Sequence, residues 1–191
     1  MLDAKSKKEL INIIHESRAF DKKMGWFLVN KIWHEPKTRE KFHSLLIHFW
    51  SQIFANSKEN LLVCPEGLVS SFGIIPFASL LAHEMKYSMV IWKEYGDILT
   101  ASSLMYPDKS FLEEGARCIV FQDVVSKGTT IQKMQNDLDQ LNWKISKYIT
   151  VIQIEENQRE LNDNIEYCRT NSNGLTDDFI FIPLLKDNDL R

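Results

Sequence analysis

Cys118-Ile119-Val120-Phe121-Gln122-Asp123-Val124-Val125-Ser126-Lys127-Gly128-Thr129-Thr130 is the stretch on which the fold turns. Residues 118–121 form an apolar run with β-branched members, the pattern of a strand buried on both faces. A polar turn follows, and from Thr129 the apolar residues Ile131, Met134, Leu138 and Leu141 recur at helical spacing. A parallel strand delivers the chain to the carboxyl edge of a sheet, where ligands bind in open α/β folds, and the following helix presents unpaired N–H groups there. Ser126, Lys127, Gly128, Thr129 and Thr130 therefore form a candidate phosphate cradle. Gly128 lets the backbone approach an anion, and the two threonines add hydroxyl donors. Lys127 is a cation that either reaches the phosphate or points to solvent. Asp123 would repel a phosphate, but it can accept hydrogen bonds from the vicinal hydroxyls of a sugar a few ångströms away. The competing reading is an ordinary strand-turn-helix whose Ser and Thr cap the helix. The order Asp123, Ser126, Gly128 favours the cradle.

Outward from this stretch, residues 61–64, 88–92, 147–154 and 179–182 are further short runs rich in apolar and β-branched residues, and they read as buried strands. Helical patterns lie between them, over residues 74–86, 129–143 and 158–169. Such alternation predicts an α/β fold with a central, mainly parallel sheet, right-handed crossovers and helices on both faces. Before the first strand, Leu10, Ile11, Ile13 and Ile14 mark a helix over residues 4–17. Residues 25–33 read as extended, a small hairpin. Pro36 starts a second helix with Phe42, Leu45, Leu46, Phe49, Trp50 and Ile53 in one apolar stripe. Residues 1–58 are expected to form an N-terminal hood-like region of helices and hairpin, and residues 59–191 the α/β core. Residues 95–115 separate two strands without sustained periodicity, the mark of a lid or of an ordinary excursion.

The chain has 191 residues, 44% apolar and 26% charged, enough to bury a sizeable core in one domain. A net charge of -3 gives no overall attraction to nucleic acid or to an anionic membrane, so a bound polyanion would be small and held locally. Three cysteines, Cys64, Cys118 and Cys168, form no C-x-x-C pair, which argues against disulfides or a structural zinc and for a reducing cytoplasm. The five histidines show no metal-ligand spacing, so no protein-held metal is expected. The N-terminus lacks the basic patch and continuous apolar run of a signal peptide, and no stretch is long enough to span a membrane.

Residues 118–130 resemble the PRPP-binding signature of type I phosphoribosyltransferases, four apolar residues, an acidic pair, two apolar residues and a Ser/Thr-x-Gly-x-Thr loop, with Gln122-Asp123 at the pair. Leu62-Val63-Cys64-Pro65-Glu66-Gly67, followed by Gly73-Ile74-Ile75-Pro76-Phe77-Ala78, is similar to that family's first strand, pyrophosphate loop and following helix. Gly25-Trp26-Phe27-Leu28 brings the resemblance closest to the orotate phosphoribosyltransferase branch. The likeness implies transfer of 5-phosphoribosyl from PRPP to a nitrogenous base, with Mg²⁺ carried on the pyrophosphate and ribose, in a homodimer. It implies that Asp123 orients the ribose, residues 126–130 hold the 5-phosphate, and Glu66, Gly67 and Lys93 meet the pyrophosphate, with Phe72 or Tyr95 stacking on the base. The departures are Gln122 in place of the first acid, Lys93 without its usual arginine neighbour, and Lys109 as the single cation between residues 97 and 111. They point to the alternative of a PRPP- or nucleotide-binding sensor of the same fold with impaired catalysis.

Overall fold

Five strands run parallel in one sheet: β3 (Leu61–Pro65), β4 (Ser88–Trp92), β5 (Arg117–Val125), β6 (Lys144–Gln153) and β7 (Ile180–Lys186), in the spatial order β4-β3-β5-β6-β7. This is a computed structural model, and it describes residues 2–21, 23, 26–54, 61–66, 74–92, 116–171 and 179–190. Helices α4 (Ile75–Met85), α5 (Thr129–Gln140) and α6 (Gln158–Asn171) follow β3, β5 and β6. The chain leaves β3 towards one edge of the sheet and leaves β5 towards the other. The carboxyl ends of β3 and β5 thus flank a topological switch point, the place where open α/β sheets bind ligands.

Side chains alternate across the sheet as the pleat requires. Leu62, Cys64, Ile119, Phe121 and Ile149 pack in a core with α1 (Ala4–Ser17), α2 (Val29–His34), α3 (Pro36–Phe54) and α4. Leu61, Val63, Cys118, Val120 and Tyr148 pack instead with Ile131, Met134 and Leu138 of α5 and Leu161 and Ile165 of α6. Trp50 of α3 stands edge-on to Phe121 at 5.1 Å, and Phe42 meets Phe77 of α4 at 4.6 Å, so the N-terminal helices are seated on the sheet by aromatic contacts.

Several expected boundaries shift, each for an identifiable reason. A hairpin forms, but between β1 (Phe20–Asp21) and β2 (Trp26–Phe27), so its first strand precedes the expected residues 25–33, and residues 29–34 coil into α2, because burying Val29 and Ile32 on one side outweighs their β propensity. β5 continues four residues past Phe121, so Gln122 and Asp123 lie in the strand. α5 stops at Gln140, with Asn142 at φ 58 and the Trp143 N–H bonded to the Leu138 carbonyl, a left-handed helix stop. β7 runs through Pro183 to Lys186, which an edge strand permits because one of its sides has no ladder partner among the described residues.

Candidate functional site

The carboxyl end of β5 passes directly into the loop expected to cradle phosphate. Val125 closes the strand, its carbonyl accepting from the Ile154 N–H at 2.8 Å, and Gly128 is the N-terminal cap of α5 at φ 79. Only glycine adopts that conformation without strain. A Cβ there would also lie 2.8 Å from Leu161 Cδ1 and 3.3 Å from Asn164 Cβ. The glycine is therefore fixed by backbone conformation and by the seating of the loop on α6. The Ile131 and Gln132 N–H groups turn back to the Gly128 carbonyl, while those of Thr129 and Thr130 take no partner among the described residues. Gln122 and residues 124–131 line a cleft of about 210 Å³. That is smaller than the roughly 300–1,000 Å³ of a pocket for a whole drug-sized ligand, and it suits a phosphate group.

Each part of the loop is held from α6 or the turn before it. Asn157 lies 2.8 Å from Ser126 Oγ through its side-chain nitrogen, Asn164 donates to the Lys127 carbonyl at 2.8 Å, and Lys127 Nζ pairs with Glu160 at 3.3 Å. Lys127 thus lines the cleft with its side chain about half exposed and its ammonium engaged by Glu160. Asn157, Glu160, Leu161 and Asn164 were not among the candidates read from the sequence. Their i, i+3, i+4, i+7 spacing is a helical stripe, but its mixed polarity does not announce a partner.

Asp123 is half-buried and is not part of the cleft lining. Burial pushes its pKa up to about 6, although the Val124 N–H, 2.8 Å from its carboxylate, favours the charged form. Its surroundings feel that charge. The Cys64 thiol is raised well above its ordinary value by burial and then by Asp123, and the Tyr148 phenol by burial and then by Asp123. Tyr148 is fully buried and bonds through its hydroxyl to Gln122 Oε1, while the Thr150 hydroxyl reaches the Asp123 carbonyl at 3.2 Å. Cys118 is also fully buried, its thiol pushed up to about 12, so both strand cysteines pack as small apolar groups.

Glu66 follows β3 and is exposed, and its N–H bonds to the Trp92 carbonyl at 2.8 Å, which sets the ends of β3 and β4 side by side. Gly67, Phe72, Lys93, Tyr95 and Lys109 lie outside the described residues. The indole N–H of Trp92 donates to Asp137 at 2.8 Å, tying the end of β4 to α5. Among the described residues no three His, Cys, Asp or Glu side chains gather as metal ligands. A larger groove between α1 and α3 carries Asp3, Glu9 and Glu40 against Lys5, Lys37 and Lys41, and none of the expected site residues. No described helix is long and apolar enough to cross a membrane.

No family model matches the chain, and no curated protein matches it by sequence. Solved structures do. Orotate phosphoribosyltransferase from Aeropyrum pernix is 14% identical, with a TM-score of 0.63, and the match covers 95% of this chain and 96% of that one. Adenine phosphoribosyltransferase from Trypanosoma brucei, crystallised with AMP, pyrophosphate and ribose-5-phosphate, is 10% identical with a TM-score of 0.61, over 87% of this chain and 71% of that one. Leishmania donovani UMP synthase is 14% identical with a TM-score of 0.65, over 98% of this chain and 37% of that one, so this chain spans little more than a third of that protein. The chain has the type I phosphoribosyltransferase fold.

Proposed function

We propose that this chain is a phosphoribosyltransferase of the orotate type, moving the 5-phosphoribosyl group of PRPP to a nitrogenous base. The observation that carries the proposal is the carboxyl end of β5, where a carboxylate, Asp123, is followed within seven residues by a phosphate-sized cleft at the start of α5. A ribose 5-phosphate has the same two ends: hydroxyls that donate to a carboxylate and a dianion that takes backbone N–H and hydroxyl donors. The trypanosomal adenine enzyme of the same fold, crystallised with AMP, pyrophosphate and ribose-5-phosphate, supports that ligand class.

In the reaction a ring nitrogen of the base bonds to the anomeric carbon, the bond from that carbon to the pyrophosphate oxygen breaks, and the base loses its N–H proton. The chain's part is to position and neutralise. Asp123 holds the ribose hydroxyls. Ser126, Gly128, Thr129 and Thr130 hold the 5-phosphate, with Lys127 joining them on release from Glu160. Glu66, Gly67 and Lys93 meet the pyrophosphate, and Phe72 or Tyr95 stacks on the base. Mg²⁺ enters as part of the substrate, where it offsets the pyrophosphate charge, and Asp123 is the carboxylate suited to the ribose side of that complex. The working unit is a cytoplasmic homodimer.

A second reading, binding of PRPP or a nucleotide without turnover, draws on two features. Gln122 stands in the cleft with its carbonyl engaged by Tyr148, and Lys127 is engaged by Glu160. Pyrophosphate release from PRPP and Mg²⁺, assayed with orotate, uracil, adenine and hypoxanthine, separates the two. Turnover with orotate supports the orotate-type reading, turnover with a purine corrects the base, and binding without release with any base leaves the sensor.

A further inference from the structure

The geometry points to Asn164 of α6 as a positioning residue that aims the backbone of residues 127–128 at an anion in the cleft. The inference rests on the proposed phosphate site and adds a part of its machinery that lies outside the loop. A carbonyl oxygen can only accept, so the Asn164 amide must present its NH₂ to Lys127 O, 2.8 Å away, and no alternative orientation of that amide satisfies both groups. The peptide joining Lys127 and Gly128 is trans, as all described peptides are. Its C=O and N–H therefore point in opposite directions. Holding the carbonyl towards α6 turns the Gly128 N–H away from α6. The cleft lies on that side, since its lining comes from β5, the loop and the start of α5, with no residue of α6.

A neighbour on the same stripe of α6 makes the setting firm. Leu161 fills the space where a Gly128 side chain would stand, so the loop cannot rotate about residue 128 without losing this packing. Glu160 engages the Lys127 side chain and not the backbone, so the setting of residues 127–128 does not depend on that pair. The peptide dipole is thereby set before any ligand arrives, which spares the ligand the cost of ordering it.

Replacing Asn164 with Leu removes the donor and keeps the bulk, and Asn164→Ser is a smaller second variant at a site already partly exposed. Two ligands are titrated into the full chain: ribose 5-phosphate, which needs the loop, and pyrophosphate, which does not. Asn164→Leu is expected to weaken ribose 5-phosphate by about ten-fold, the worth of one hydrogen bond to a charged group, and to leave pyrophosphate unchanged. In amide NMR spectra ribose 5-phosphate should shift the Gly128 resonance in the wild type and much less in either variant. Equal weakening of both ligands would indicate general loosening and overturn the inference, as would wild-type affinity with a wild-type Gly128 shift in the variants. If the wild type itself fails to bind ribose 5-phosphate, the phosphate site falls, and this inference with it.

Discussion

Asp123 keeps a carboxylate where burial raises its pKa from an ordinary 3.8 to about 6, opposed by backbone N–H groups. The folded chain then holds the proton more tightly than the unfolded chain. Its contribution to stability is fully present below about pH 4 and is lost as the pH rises through about 6. Asp123→Asn should therefore stabilise the protein at neutral pH by about 1 to 3 kcal/mol, with the gain fading below about pH 4. Urea unfolding of both proteins across that range tests it. The difference isolates Asp123 from acids such as Glu155, which a hydrogen bond from Lys186 holds below the ordinary range and which loses its contribution on acidification. Stability and ligand binding should move in opposite directions at this residue, as expected where a charged group serves a ligand and not the fold. Gly128 answers to the fold. Gly128→Ala meets a left-handed backbone and the Leu161 side chain together, and should cost about 2 kcal/mol or more. Adding Leu161→Ala removes the collision but not the backbone strain, so the double variant should lie below the additive expectation in a denaturation cycle.

At the scale of elements, α1 and α3 were legible because a capping residue or proline precedes a dense apolar stripe; Asp3 caps α1 by accepting from the Ser6 N–H at 2.9 Å. β5 was legible as a strand but not in its length. Gln122-Asp123 looks like the start of a turn, and only the pairing of Gln122 with Thr150 and of Val124 with Ile152 on β6 shows that the ladder continues. α2 was misread because Val29, Ile32 and Trp33 favour strands in isolation. The turn after β5 was legible as a strand-to-helix loop, but its support was not: Ser126 and Lys127 meet Asn157 and Asn164 across 31 and 37 residues, a distance that no local pattern bridges. The Lys127 and Glu160 pair between these elements is exposed and contributes little to stability. Glu160→Gln should leave the melting temperature nearly unchanged, yet tighten ribose 5-phosphate by about three-fold at low salt, with the gain lost as salt screens Lys127.

For the whole molecule, two cores share one sheet. The face built with α1–α4 carries most of the aromatic packing, and the face built with α5 and α6 carries the loop and its support. The reversal of strand order between β3 and β5 puts Glu66 and the end of β5 at one edge, which is how segments separated by more than fifty residues come to lie at one place. On the proposed function, this edge holds ribose 5-phosphate through Asp123 and the loop of residues 126–130. Calorimetric titration of the wild type and Asp123→Ala with PRPP and Mg²⁺ tests it most directly. Saturable binding at one site per chain is expected in the wild type and its loss in Asp123→Ala, with both proteins folded; absence of wild-type binding, or equal binding by the two, would overturn the proposed site.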